Sequence, residues 1–128
     1  MRKALTGAAG VFPPHGRYHH GMAVTGSDRL LFLSGQVGIC PDGSVPSGIT
    51  RQAEQLFANI DCLLKEGGMD RSHLVKLTAY LLDPGDRAAY MAVRDAWVAE
   101  PAPASTLLFV QALARPDFMV EVEAIAAA

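Results

Sequence analysis

The stretch MVEVEAIA, Met119–Ala126, decides the fold because its small or branched apolar residues recur at every second position. Successive side chains of a β-strand point to opposite faces of a sheet, so this alternation predicts a strand near the end of the chain. The apolar residues of one face would point into a core: Val120, Val122, Ala124 and Ala126. The other face carries two carboxylates, Glu121 and Glu123, which need a separate explanation.

These two acids leave two interpretations open. A buried carboxylate must be paired or protonated, whereas an exposed one needs no partner. Either this face of the strand is simply wet, or one glutamate lines a cleft while the other is held in an ion pair. Lys76 stands in an otherwise apolar predicted strand, so an ion pair between Lys76 and Glu123 would explain both charges.

Size and composition indicate one globular domain over residues 1–128. The net charge is −2 and the eleven Lys and Arg residues are scattered, which argues against a nucleic-acid partner. We expect no membrane association and no signal peptide, because no apolar run has the necessary length. The two cysteines, Cys40 and Cys62, have no metal-binding or CxxC spacing and favour free thiols in the cytoplasm, with Cys62 in the core.

Turn residues and hydrophobic periodicity predict the remaining elements. The first half should contain an irregular arm over residues 1–16, strands over 17–24 and 30–36, a loop over 38–48, and a helix capped by Thr50 and ended by Gly67-Gly68. The second half should contain a strand over 73–82, a helix opened by Asp83-Pro84, and strands over 106–113 and 118–126. The second helix has a predicted apolar face: Ala89, Tyr90, Val93, Ala96 and Trp97.

This order of elements predicts an α+β domain with two helices on one side of a mixed sheet. A sheet with helices on one face leaves its other face uncovered. Contact with neighbouring subunits would bury that second face, and clefts between subunits would then collect the unusual polar residues.

Neither a metal nor a cofactor is expected. His19 and His20 are adjacent on a predicted strand, so their side chains point in opposite directions and cannot easily share one ion. Gly67-Gly68 ends a helix and is not surrounded by a phosphate-binding pattern.

Two motifs carry a resemblance to a known family. Leu33-Ser34-Gly35-Gln36 and the ending Val120–Ala126, together with the strand Leu74–Tyr80, closely resemble the RidA/YjgF family from about residue 15 onward. The resemblance implies a chorismate-mutase-like α+β fold, with a mixed six-stranded sheet and two helices on one face. It also implies a homotrimer with three small-molecule clefts between subunits. The activity it implies is hydrolysis of reactive enamines and imines, such as 2-aminoacrylate, to a 2-keto acid and ammonia.

The resemblance also assigns roles to residues of this chain. Tyr18 and Ser34 match residues of the family's cleft, and Glu121 matches the acid that positions or activates water. Deaminating members carry an arginine after Pro-Ala that grips the substrate carboxylate, and Ser105 stands at that position. Main-chain donors near Ser105 and Thr106 could hold a substrate oxygen.

The serine at position 105 weakens the expectation of standard 2-imino acid deaminase activity. An arginine offers a planar fork of donors to a carboxylate, whereas a serine offers one hydroxyl. A charge-assisted hydrogen bond contributes ~1.5–3 kcal/mol, so a substrate carboxylate should bind at least about tenfold more weakly. Arg17 and Arg115 are the candidates for compensation. Met91 and Leu107 also replace an asparagine and a cysteine of the family pattern.

Two functional hypotheses follow. The first is an enzyme that hydrolyses an imine, an enamine or a related C–N bond, with Glu121 orienting the water. The second is a non-catalytic small-molecule-binding or chaperone-like member that keeps the cleft without the chemistry. Ribonuclease activity, an older label of the family, is disfavoured by the acidic balance of charges.

Overall fold

The computed structural model describes all 128 residues, which form six strands and two α-helices. In chain order the elements are β1 (Arg2–Ala4), β2 (Met22–Val24), β3 (Leu30–Val37), α1 (Ile49–Glu66), β4 (Leu74–Leu81), α2 (Arg87–Trp97), β5 (Ala104–Phe109) and β6 (Val120–Ala127). Short 3-10 turns over Arg71–His73 and Pro84–Asp86 lead into β4 and α2. No helix combines the length and the apolar character that a bilayer crossing requires.

Four strands form one mixed sheet in the order β3-β6-β4-β5, in which only β4 and β5 run parallel. The predicted α+β architecture, with two helices and a mixed sheet, is therefore confirmed. The prediction of one six-stranded sheet is wrong in one respect, because β1 and β2 pair only with each other. A single bridge between His19 and Ala104 joins the N-terminal region to the edge strand β5.

The core lies between the helices and the apolar face of β6. All four residues predicted for that face are buried: Val120, Val122, Ala124 and Ala126. Leu56, Phe57 and Ile60 of α1 belong to the same cluster, and Trp97 of α2 stacks on Phe57 with ring centroids 4.5 Å apart. Burial of a large apolar side chain contributes about 1.5–3 kcal/mol, so this cluster determines which face of the sheet the helices cover.

The N-terminal arm is more ordered than predicted. Residues 1–16 were expected to be irregular, but Arg2–Ala4 forms β1. The guanidinium of Arg2 donates to the carbonyls of Leu74, at 2.9 Å, and Pro101, at 3.2 Å. These long-range hydrogen bonds attach the arm to the domain, and no local sequence pattern encodes them.

Three other element boundaries differ from prediction. β2 covers only three residues of the predicted 17–24 strand, and β5 begins and ends earlier than the predicted 106–113 strand. Thr50 was predicted to cap α1, but Gly48 occupies that position with a φ of 87°, which glycine adopts without strain. The predicted end of α1 at Gly67-Gly68 is confirmed.

β4 contains an irregularity that simple alternation does not reveal. Alternation places Leu74 and Lys76 on one face, but the pairing register with β6 shifts between them. Leu74 is therefore buried on the same side as Leu77, while Lys76 lies on the opposite side. A bulge of this kind reverses the facing of all residues that precede it.

The buried face of α2 also differs from prediction. Ala96 is exposed, whereas Arg94, which hydrophobicity alone would place outside, is buried between Tyr90 and Trp97 on the same helix face. The spacing of three and four residues explains this neighbourhood, because such residues lie one above the other on a helix.

The side of the sheet opposite the helices, here called the open face, is not covered by the chain. Three large apolar side chains on it are strongly exposed: Phe32 at 68%, Leu30 at 59% and Leu108 at 48%. Exposed clusters of large apolar residues are typical of interaction surfaces.

Candidate functional site

A cavity of about 270 Å³ lies on the helix side of the sheet, between the N-terminal arm, α2 and the edge strand β5. Six of the residues that line it are His15, Tyr18, Arg87, Met91, Arg94 and Ser105. We call it the helix-side cavity. It brings together two of the predicted site residues, Tyr18 and Ser105, although they are far apart in the sequence.

Arg17 anchors the arm that carries Tyr18. Its guanidinium donates to the carboxylate of Glu100 and to the carbonyl of Asp95. The hydrogen bonds from Arg17 hold the pKa of Glu100 below its ordinary value. The carbonyl of Arg17 accepts a hydrogen bond from Nη1 of Arg94 at 2.9 Å. Arg17 thus fixes the arm from outside the helix-side cavity and does not line it.

Arg115 is also engaged elsewhere. Its Nε and Nη2 donate to the two carboxylate oxygens of Asp117 at 3.1 and 2.6 Å, and its guanidinium lies over the ring of Phe118. These hydrogen bonds lower the pKa of Asp117. Within one chain, therefore, neither of the two arginines considered from the sequence lines the cavity that contains Ser105.

A second group of predicted site residues lies at the surface of the sheet on β3 and β6. The carboxylate of Glu121 lies directly beside Gly35, where an added Cβ would come within 2.7 Å of the carboxyl carbon. A larger residue at position 35 would therefore displace the carboxylate of Glu121. Ser34 is the adjacent, exposed residue. We call Ser34, Gly35 and Glu121 the open-face patch.

The second acid of β6 has a partner that the sequence analysis did not identify. The hydroxyl of Tyr80 donates to Glu123 at 2.6 Å, and this hydrogen bond raises the pKa of Tyr80. Lys76 donates instead to the hydroxyl of Thr106 at 2.6 Å. The predicted ion pair between Lys76 and Glu123 is therefore wrong, because each side chain has a closer neutral partner.

Thr106 and Ser105 lie on opposite sides of β5. Ser105 pairs with Leu77, a core residue, whereas Thr106 pairs with Thr78 and binds Lys76 on the open face. Within one chain the predicted site residues thus form two groups. Tyr18 and Ser105 share the helix-side cavity, while the open-face patch lies across the sheet, with β4 between β5 and β6.

The histidines that invited a metal interpretation are separated by their hydrogen bonds. Nδ1 of His19 donates to the carbonyl of Ala102, and Nε2 of His20 donates to that of Phe12, both at 2.6 Å. No three His, Cys, Asp or Glu side chains are close enough to hold an ion. Cys62, predicted to be a core residue, is exposed.

One residue of the site, Arg94, is not predicted by the sequence pattern. Its side chain is 2% exposed and contributes to the wall of the helix-side cavity. The available signal was its spacing from Tyr90 and Trp97, which places a charged residue on the buried face of α2. Hydrophobic periodicity discounts charged residues, so this position was not selected.

Comparison with known proteins supports membership of the RidA/YjgF family. A family model described as Endoribonuclease L-PSP matches residues 10–128. A RutC family protein of Aquifex aeolicus is 40% identical over 84 residues, which are 65% of this chain and 63% of that protein. A mouse 2-iminobutanoate/2-iminopropanoate deaminase is 36% identical over 101 residues, which are 77% of this chain and 74% of that protein.

A solved structure extends the similarity over the whole fold. A conserved Rid family protein of unknown function from Yersinia pestis superimposes with a TM-score of 0.87 at 28% identity, covering 99% of this chain and 98% of that one. Because the family model spans nearly the entire chain and the relatives agree with it, the chain belongs to the RidA/YjgF family, whose family model is described as Endoribonuclease L-PSP.

Proposed function

We propose that the protein is a cytoplasmic homotrimer that hydrolyses an imine, an enamine or a related C–N bond of a small molecule in clefts between its subunits. The observation that carries this proposal is the separation of the site residues into two groups. Tyr18 and Ser105 lie in the helix-side cavity, and Ser34 and Glu121 lie in the open-face patch. A cleft in which one copy supplies the first group and its neighbour supplies the second would unite them.

The open face supplies the physical reason for assembly. Phe32, Leu30 and Leu108 expose large apolar surfaces on it, and burial against a second copy would remove that surface from water. A closed ring of identical copies buries such a patch on every subunit with one type of contact. A neighbour's helix-side cavity that faces the patch would place Glu121 at the edge of an enclosed space.

The chemistry needs few groups. Water adds to the carbon of the C=N bond as a proton reaches the nitrogen, and the resulting carbinolamine expels ammonia to leave a carbonyl. Glu121 would orient the water and accept its proton. The hydroxyls of Tyr18, Ser34 and Ser105 would contact the substrate, and main-chain donors near Ser105 and Thr106 would hold a substrate oxygen. An electrophilic substrate, a positioned water and one acid-base group are sufficient for such a reaction.

The activity of the mouse relative, as its name states it, supports this reaction class. The test generates 2-imino acids in place with an amino-acid oxidase and traps the remaining imine with semicarbazide. We expect faster imine loss with the protein, and a decrease of about 10²–10⁴-fold for Glu121→Gln. Glu123→Gln is the matched control, because Glu123 lies on the same strand and face and a glutamine can still accept from Tyr80.

The same assay decides between the enzyme and the alternative of a non-catalytic binding or chaperone-like protein. Imine loss at the uncatalysed rate across a range of imines would contradict the proposed hydrolase activity and favour the non-catalytic protein. For the remaining possibility of ribonuclease activity, the expected result is that any RNA cleavage disappears on further purification. Cleavage that persists and depends on Glu121 would contradict the proposal.

A further inference from the structure

Arg94 presents two unused donors in a buried position. Its Nη1 donates to the carbonyl of Arg17 at 2.9 Å and to the carboxylate of Asp95 at 3.0 Å. Its Nε and Nη2 are buried and have no hydrogen-bond partner in the chain. A buried charged group with unused donors is costly, so positions of this kind are retained where a ligand or a water completes them.

Two other arginines of the same molecule show what the edge formed by Nε and Nη2 of a guanidinium binds. Nε and Nη2 of Arg71 donate to the two oxygens of Asp61 at 2.8 and 2.7 Å. Nε and Nη2 of Arg115 donate in the same manner to Asp117. Arg94 offers the same pair of donors with no carboxylate in front of them. This fork is matched to a planar group with two oxygens.

The surroundings of Arg94 favour an anion. The lining of the helix-side cavity contains two arginines, Arg87 and Arg94, and no aspartate or glutamate. Asp95 accepts from Nη1 and therefore leaves the opposite edge of the guanidinium free. The volume of about 270 Å³ suits a molecule of few carbon atoms. Ser105, which stands where the family's arginine would be, is in the same wall and leaves room for the ligand.

We propose that Arg94 binds the carboxylate of a small 2-imino or 2-keto acid through Nε and Nη2, in place of the arginine that Ser105 replaces. The inference rests on the proposed function, because it names the substrate class of that cleft and a specificity-determining residue within it. The anion-binding arginine has moved from strand β5 to helix α2. Both nitrogens are shielded from solvent in the unliganded chain, so binding requires side chains of the cavity wall to move.

A buried water is the alternative occupant. The hydroxyl of Tyr90, one turn earlier on α2, is also buried without a partner, and a water could bond to it and to Arg94. Such a water would satisfy the donors without giving the cavity any affinity for a carboxylate. Ligand binding therefore separates the two explanations.

The experiment measures binding of pyruvate, pyruvamide and inorganic phosphate to the assembled protein by calorimetry. We expect pyruvate to bind in preference to pyruvamide, which has nearly the same shape without the charge, and in preference to phosphate. Arg94→Met should weaken pyruvate binding at least about tenfold, and Arg94→Lys, which keeps the charge without the fork, should have an intermediate effect. Arg115→Met is the matched control and should bind pyruvate like the unaltered protein.

A second variant distinguishes a loss of the binding group from a loss of the fold. Arg94→Met combined with Ser105→Arg should recover pyruvate binding, because the guanidinium returns to the same cavity from β5. The thermal unfolding and the mass of each assembly are measured alongside. In the imine assay Arg94→Met should raise KM more than it lowers kcat for a carboxylate-bearing imine and should leave an imine without a carboxylate unaffected.

The outcomes distinguish this inference from the proposed function. Pyruvate binding that is unchanged in folded Arg94→Met, tighter binding of phosphate than of pyruvate, or no binding of pyruvate at all would each overturn the role of Arg94. Imine hydrolysis that depends on Glu121 would stand in any of these cases. If Arg94 controls pyruvate binding and no imine is hydrolysed, the inference holds for a binding protein and the hydrolase is excluded.

Discussion

The two faces of the sheet differ in what each lacks. The helix-side cavity is a partly open pocket lined by Arg87 and Arg94, but it contains no carboxylate that could act on water. The open face carries Glu121 and Glu123 and exposes large apolar side chains, but its acids lie on an uncovered surface. One face has the cavity and the positive charge, and the other has the acid. The contrast suggests that function depends on bringing the two faces of different copies together.

The largest expected effect comes from a charge placed on the open face. Phe32→Asp replaces a strongly exposed ring by a carboxylate that an apolar interface cannot bury without a partner. We expect the assembly to dissociate and imine hydrolysis to be lost, as measured by ultracentrifugation and the imine assay. Phe12→Asp, an exposed ring on the N-terminal arm, should leave both unchanged. A fully active, assembled Phe32→Asp protein would contradict the role given to this face.

A smaller change tests the open-face patch without altering charge. Gly35→Ala introduces a Cβ within 2.7 Å of the carboxyl carbon of Glu121, so the acid must move. A displacement of about 1 Å at a catalytic group costs about 10²-fold in rate, whereas stability should change little because the displaced atoms are the end of a flexible side chain. The measurements are kcat in the imine assay and chemical denaturation. Gly7→Ala is the control, because nothing lies within 4 Å of a Cβ there. Unchanged kcat would show that Glu121 need not hold its position.

Lys76→Met sharpens the description of the open face. Because Glu123 is exposed and accepts from Tyr80, removal of the lysine leaves no buried charge without a partner. We expect the free energy of unfolding to change by less than about 1 kcal/mol, since only the hydrogen bond to Thr106 is lost. A loss of about 3–5 kcal/mol is the cost of breaking a buried ion pair. Such a loss would support the ion pair between Lys76 and Glu123 that was predicted from the sequence.

The smallest effect concerns the ion pair between Arg17 and Glu100, which anchors the N-terminal arm. Glu100 has a lowered pKa in the folded protein, so its stabilising contribution is present above the unfolded pKa of about 4.3. The contribution is lost as the pH falls through the lower, folded pKa. For this exposed pair with Arg17 it amounts to about 0.2–1 kcal/mol. Glu100→Gln should therefore lower the melting temperature at pH 7 and have a smaller effect at pH 3. An equal effect at both pH values would assign the loss to something other than the ion pair.

The sequence predicts the parts of the fold that depend on local periodicity. The two faces of β6 follow from alternation alone, and the end of α1 follows from two glycines. Features that depend on pairing between distant segments were not predictable. The bulge between Leu74 and Lys76 requires knowledge of the register with β6. The arm strand β1 depends on hydrogen bonds that Arg2 makes across the domain.

The same distinction applies to the site. The resemblance selected Tyr18, Ser34, Ser105 and Glu121, and Thr106 was added as a neighbouring main-chain donor. Neither step indicated that the side chain of Thr106 points away from that of Ser105. Alternation places these two residues on opposite faces once both lie in β5, but the predicted strand started two residues too late and left Ser105 outside it. Arg94 was not found, because its burial arises from packing of α2 against α1 and from its contact with the arm at Arg17. No hydrophobicity pattern assigns a buried position to a charged residue.

The central claim, that each site is shared between copies, is tested most directly by mixing two inactive variants. Ser105→Trp fills the helix-side cavity and Glu121→Gln removes the acid, so each protein alone should be inactive. In mixed trimers about one quarter of the clefts would combine an intact cavity from one copy with an intact acid from its neighbour. We predict that co-expression restores imine hydrolysis to about that fraction of the unaltered rate. Activity of the mixture no higher than that of the two variants measured separately would contradict a shared site.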